Sequence, residues 1–224
     1  MKLVPFSREL TYLLKMKKNS FILLLQFLLM SSLFAADLDY KDFIKDETPL
    51  IASDNPNAVD IIEFSSFTCS HCRDFHNDIL PEIKNSKIIS DINYYIIDFP
   101  LDYFAFYASR ISSCLGSNRF NFTDIVYHQQ DVWKNLYKSS DPESRFELEN
   151  TLINYAVQLG SSENELLQCI DDEEMQNRIL GKQIEAQEKF KVESTPTFLI
   201  NGKKILGNKP GSEFIKIIEK KLKK

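Results

Sequence analysis

Two cysteines three residues apart, Cys69 and Cys72, sit where a short apolar run gives way to a helical period. That junction constrains the fold more than any other feature of the chain. Upstream, Val59 to Phe67 carries Ile61, Ile62, Phe64 and Phe67, and a run this short and rich in Ile and Phe predicts a buried strand. Downstream, Cys72, Phe75, Ile79 and Ile83 recur three or four apart and share one helical face. Ile92 to Phe99 reads as a second strand, ended by Pro100. Strand, helix, strand is a crossover unit, and it predicts a parallel pair.

From Leu101 to about Phe190 the pattern is helical, with four or five helices expected. Asp141-Pro142 offers a cap with Pro in the first turn. Ser162-Glu163-Asn164-Glu165 offers a capping box ahead of Leu166 and Leu167. The acidic run Asp171 to Glu174 reads as a solvated helix start. Thr197 to Ile200 and Lys203 to Leu206 then predict two short strands joined by Asn201-Gly202, a hairpin signal because both positions tolerate positive φ. Gly207 to Gly211 breaks the chain, and Phe214, Ile217, Ile218 and Leu222 mark a last amphipathic helix. The expectation is a small α/β domain split by about 90 helical residues.

The N-terminus bears on the compartment. Lys15, Lys17 and Lys18 precede an uncharged run from Asn19 to Ala36 whose centre, Phe21 to Met30, is almost wholly apolar. Basic, apolar, small is the order of a secretory signal, so residues 1–36 are expected to be one, with translation starting at Met1 or Met16. Leu33 or Phe34 at the third position before the cut is a poor fit, which leaves an uncleaved anchor as the alternative. Export implies an oxidising compartment where disulfides persist. Without those residues the chain holds 22 basic against 31 acidic side chains. That balance argues against nucleic acid as a partner.

The chemistry sits at Cys69-Ser70-His71-Cys72. At a strand-to-helix junction the first sulfur meets unpaired N–H groups and the positive end of the macrodipole, which favour thiolate over thiol. The second shares the apolar face with Phe75 and Ile79 and should be buried. Cys69 is thus the expected nucleophile and Cys72 its shielded partner. The residues alone leave open an inert disulfide or half of a zinc site. Zinc needs a second pair of ligands, and only Cys114, Cys169, His76 and His128 remain, scattered along the chain. No metal and no cofactor are expected, and both histidines read as ordinary surface or packing residues.

Together, Glu63-Phe64-Ser65-Ser66-Phe67-Thr68-Cys69-Ser70-His71-Cys72 and Thr195-Pro196-Thr197-Phe198 resemble the DsbA-like thiol:disulfide oxidoreductases of the thioredoxin superfamily. The helical stretch between them and the Asn201-Gly202 hairpin after them match too. The resemblance implies a thioredoxin fold interrupted by an inserted all-helical domain, with 37–100 and 191–224 thioredoxin-like and 101–190 the insertion. It also implies a cis Pro196 whose loop, with Thr195, faces the two cysteines and docks an extended peptide. Members with His before the second Cys tend to be oxidising, which casts His71 as a stabiliser of the Cys69 thiolate.

Glu63 stands where the family has a buried acid. A buried carboxylate is costly without a task, so it is expected to relay protons to Cys72 unless it lies exposed at a strand edge. At Thr195 the best-known members carry Val, and here a hydroxyl is expected to bond the Cys69 sulfur. Some members have a second disulfide. Between Cys114 and Cys169 a bridge is expected, with two free buried thiols as the alternative. The implied protein is a monomeric periplasmic oxidase of reduced exported proteins, recycled by a membrane redox partner. An isomerase or reductase kept reduced by such a partner, or a peptide-binding chaperone or metal carrier, are the alternatives.

Overall fold

The computed structural model describes residues 40–223, so the basic and apolar segment read as an export signal lies outside the described residues. Every residue of the first strand, β1 (Val59–Ser65), is buried. It lies between β2 (Ile92–Asp98), parallel to it, and β3 (Thr197–Ile200), antiparallel. The antiparallel β4 (Lys203–Leu206) completes the sheet in the order β2-β1-β3-β4. A central strand covered on both faces buries both of them, and this is why Ile61, Ile62 and Phe64 show no apolar–polar alternation.

Alternate residues of β1 serve different layers. Ile61 joins Tyr94, Ile96, Phe198 and Phe214 in one cluster, and Ile62 and Phe64 join Phe43, Phe190 and Leu199 in another. The first cluster lies under α2, a continuous helix of three segments: Ser70–Asp74, a π-helical turn Phe75–Ile79, and Leu80–Lys84. The expected apolar face of α2 holds at Cys72, Phe75 and Ile83 but not at Ile79. The π turn inserts one extra residue into the repeat, so Leu80 takes the core position and His76 turns inward. The second cluster lies against α1 (Tyr40–Ile44).

Between residues 101 and 190 there are six described α-helices rather than four or five: α3 (Tyr103–Ser113), α4 (Arg119–His128), α5 (Gln130–Lys134), α6 (Glu143–Gln158), α7 (Glu163–Ile170) and α8 (Glu173–Phe190). α5 has five residues and is parted from α4 by Gln129 alone, too short to carry a period of its own. Their shared core includes Ile111, Phe122, Val126, Trp133, Leu152 and Leu166. Ser162 does cap α7 by position, but its side chain makes no capping bond. The far end of α8, at Ala186 and Phe190, packs against the sheet with Phe64 and Leu199. The expected hairpin closes on Asn201 and Gly202, with φ of 44° and 75°, and α9 (Gly211–Leu222) covers the sheet beside α2.

Candidate functional site

The end of β1 aims the chain at the N-terminus of α2, where Cys69 is the N-cap residue with φ −76° and ψ 121°. Its carbonyl accepts from the Arg73 amide at 3.1 Å, closing the first helical turn. Helix α5 holds this loop from the other side. Gln130 donates to the carbonyls of Phe67 (2.8 Å) and Cys69 (2.9 Å), and Lys134 donates to that of Thr68 (2.6 Å). Sequence reasoning did not single out Gln130 or Lys134. Gln130 is wholly buried, which nothing in the sequence around it announces.

The Thr195–Pro196 peptide is cis, and its loop faces the cysteines. The Cys69 thiol donates to the Thr195 carbonyl at 3.3 Å. The geometric bond therefore runs to the backbone of Thr195 rather than to its hydroxyl, which is buried without a hydrogen-bond partner. That hydroxyl nevertheless lies close enough to the sulfur to favour its anion.

The two sulfurs are biased in opposite directions. Cys69, half-buried, is pulled down to about 5. The largest cause is hydrogen bonding from the Cys72 thiol. Burial opposes it, and the Thr195 hydroxyl and the backbone N–H groups of Cys72 and His71 add to it. Cys72 is buried and pushed well above the ordinary thiol range, first by burial, then by the hydrogen bond it donates to the Cys69 sulfur and by the charge of Glu63. The His71 imidazole points into solvent, its Nδ1 3.9 Å from Asp74. What His71 lends Cys69 here is its backbone N–H, since an exposed ring has no fixed direction toward the sulfur.

Glu63 lies in the middle of the sheet with no exposed surface, not at a strand edge. Its carboxylate accepts from Ser65 Oγ at 2.7 Å and from the Tyr94 hydroxyl, and bonds His76 Nε2 at 3.1 Å. His76, expected to be an ordinary residue, is thus part of a buried constellation, while His128 is exposed. The π turn in α2 is what brings it there, and nothing in the apolar spacing announces that turn. Tyr127 of α4 closes the cluster, its hydroxyl 2.6 Å from Ser65 Oγ and its ring stacked on His76 at 4.2 Å.

Cys114 and Cys169 are bridged, with Cα atoms 6.0 Å apart and a sequence separation of 55. Cys114 caps the C-terminus of α3, and Cys169 lies in the last turn of α7. Among the described residues, no group of three or more His, Cys, Asp and Glu side chains is placed to hold a metal ion, and no helix is long and apolar enough to cross a membrane.

With that geometry in place, the similarities to known proteins can be read. The thioredoxin family model matches residues 47–220. A protein of Rickettsia bellii named "Putative protein-disulfide oxidoreductase" is 28% identical over 163 residues, which are 70% of this chain and 58% of that protein. Its counterpart in Rickettsia felis is 26% identical over 166 residues, so the chain spans only somewhat over half the length of these curated relatives (58% and 55%). The crystal structure of alpha-DsbA1 from Wolbachia pipientis superposes with a TM-score of 0.68 at 28% identity, covering 79% of this chain and 92% of that one. BdbD from Bacillus subtilis, in its oxidised form, shares the fold at 18% identity, with a TM-score of 0.62 and coverage of 81% and 95%.

Proposed function

This chain belongs to the thioredoxin family and is DsbA-like within it, and from that premise we propose that it is an exported dithiol oxidase. The observation that carries the reading is the opposite bias on the two sulfurs, one held as an anion at about 5 and the other held as a thiol. A stabilised Cys69 thiolate is a good leaving group, and it makes the reduced form favourable and the disulfide oxidising.

In the first step a substrate thiolate attacks Cys69 Sγ. The substrate–Cys69 bond forms as the Cys69–Cys72 bond breaks, and Cys72 leaves with the electron pair and takes a proton. The substrate's second thiolate then attacks its own sulfur in the mixed disulfide, and Cys69 leaves as thiolate. The substrate has lost two electrons and the protein has gained them. Glu63 serves as the proton relay to Cys72, and the cis loop at Thr195 and Pro196 docks the extended substrate chain. Reduced exported proteins are the substrates, a membrane redox partner reoxidises the pair, and the monomer works in the periplasm, to which the N-terminal segment directs it. The Cys114–Cys169 bridge is structural.

Replacing Cys69 with Ser should abolish oxidation of a reduced model protein, while Cys72→Ser should accumulate mixed disulfides through Cys69. A chaperone would keep its activity in both variants, and a metal carrier would trap no substrate in either. The potential of Cys69–Cys72 against glutathione fixes the direction. A value near the about −270 mV of a reductase would reassign the protein to reduction.

A further inference from the structure

Resolution of a mixed disulfide at Cys69 requires Cys72 to lose its proton inside the protein, and nothing in the carboxylate of Glu63 alone explains how that proton travels. We propose that Ser65 is the relay that carries it from Cys72 to a Glu63–His76 pair, with the Tyr127 hydroxyl holding Ser65 in the orientation that makes the transfer directional. This deepens the reading of Cys69–Cys72 as the redox pair and rests on it.

The geometry follows from β1. Residues two apart on a strand point the same way, so Glu63 and Ser65 face α2 together, and Ser65 Oγ lies 2.7 Å from Glu63 Oε1. The same hydroxyl favours the anion of the Cys72 sulfur, as a donor does that turns to the thiolate once the proton has left. A hydroxyl donates one hydrogen and accepts two. In the mixed disulfide Cys69 is bonded to substrate and no longer takes the Cys72 hydrogen bond, so when Tyr127, at 2.6 Å, donates to Ser65, the Ser65 hydrogen is left for Glu63 and its remaining lone pair for the Cys72 S–H. All three groups are then satisfied at a site with almost no exposed surface, where an unpaired polar atom would be costly. On the far side of the carboxylate, His76 Nε2 lies 3.1 Å from Oε2 and donates to it while Glu63 is charged, so the pair rather than the carboxyl alone adjusts when the proton arrives.

The titratable groups facing the pair are Tyr94 from β2, Tyr127 from α4 and Cys72 from α2. β3 presents the apolar Phe198 opposite Glu63. Burial keeps both tyrosines protonated, their hydroxyls pushed well above the ordinary range. They are fixed donors rather than carriers.

As the Cys72 S–H proton passes to Ser65 Oγ, the hydrogen of Ser65 passes to Glu63. The Cys72 thiolate attacks Cys69 Sγ, forming the Cys69–Cys72 bond, and the sulfur previously joined to Cys69 leaves with the electron pair. The pair at Glu63 and His76 then releases the proton to solvent, so its resting protonation is the same in both redox states.

Reaction of the reduced protein with excess 5,5′-dithiobis(2-nitrobenzoate) separates the two sulfurs in one stopped-flow trace. Attack by Cys69 releases the first thionitrobenzoate at a rate that scales with reagent, and attack by Cys72 releases the second at a rate that does not. Ser65→Ala should leave the Cys69 phase within twofold and slow the Cys72 phase at least tenfold at pH 6.5, with the deficit shrinking as pH rises toward 9. His76→Gln, whose amide can donate to the carboxylate but holds no exchangeable charge, should slow the Cys72 phase at least threefold. A Cys72 phase that Ser65→Ala leaves unchanged overturns the relay, and so does one slowed equally at every pH, which would mean a displaced sulfur. An unchanged phase in His76→Gln overturns the pair. Absence of a fast Cys69 phase in the unaltered protein would instead sink the oxidase reading itself.

Discussion

The two cysteine pairs sit at opposite ends of helices, and the sign of the local field differs accordingly. Cys69 caps the N-terminus of α2, where free N–H groups point at its sulfur. Cys114 caps the C-terminus of α3, and Cys169 lies in the last turn of α7, where the carbonyl ends of both helices disfavour an anion. The same element in the same chain is therefore pushed toward thiolate in one place and away from it in the other. Reduction of Cys69–Cys72 yields a stabilised anion. Reduction of Cys114–Cys169 yields none, and it reopens a loop of 55 residues. Redox lability is thus a property of where along a helix a sulfur stands, before any partner is considered.

The largest expected effect tests that contrast directly. In graded glutathione buffers the two disulfides should reduce at midpoints separated by more than about 100 mV, a difference above roughly a thousandfold in equilibrium constant. Alkylation and mass spectrometry at the first midpoint should label Cys69 and Cys72 and leave Cys114 and Cys169 protected. All four thiols labelled together would break the comparison. Next in size is stability. The double variant Cys114→Ala and Cys169→Ala should lose about 4 kcal/mol by the chain-entropy estimate for a loop of this length, read from denaturant midpoints. The rate of Cys69 with a thiol reagent should stay within twofold. Loss of that reactivity in a folded double variant would mean that the second pair exchanges electrons with the first.

The half of this contrast that lies on β1 and α2 was legible in the sequence, because it is local. The apolar run ending before Cys69, the helix start at the cysteines and the Asn201-Gly202 turn are each written within about ten residues, and all three stand where they were read, although the period from Cys72 fails at Ile79. What was not legible depends on contacts across the fold. Gln130 and Lys134 reach the Cys69 loop from a five-residue helix with no period to detect. His76 faces Glu63 only because the π turn shifts the register of α2 by one residue, and that shift exchanged Ile79 for Leu80 in the core. The Thr195 carbonyl accepts from the Cys69 thiol while the hydroxyl of the same residue favours the anion, and spacing along the chain does not show that both act on one sulfur. The helix ends that separate the two cysteine pairs were only half readable. Gly116 follows Cys114 by two residues and is a breaker, whereas no nearby breaker marks the end at Cys169.

The smallest effect is the most specific, because it counts protons. Neither sulfur of the Cys69–Cys72 disulfide titrates. On reduction two electrons enter, Cys72 takes a proton because it is held above the ordinary thiol range, and Cys69 takes none while the pH exceeds about 5. One proton per two electrons makes the midpoint potential fall by about 30 mV per pH unit. Below pH 5 both sulfurs take protons and the slope doubles. An ordinary dithiol takes two protons until the pH nears ~8.5, so against a second pair of that kind the gap should widen as pH rises from 5 toward that value. Stability carries the same sign. The Cys69 pKa is depressed in the folded reduced protein, so its contribution is complete above the unfolded thiol value and is lost as pH falls through about 5. Midpoints measured for both disulfides between pH 4.5 and 8 test this. A doubled slope at Cys69–Cys72 across the whole range would show that Cys69 is no more acidic than an ordinary thiol and erase the asymmetry. A flat profile would mean that the proton gained by Cys72 is drawn permanently from Glu63 and His76, so that their resting protonation differs between the two redox states.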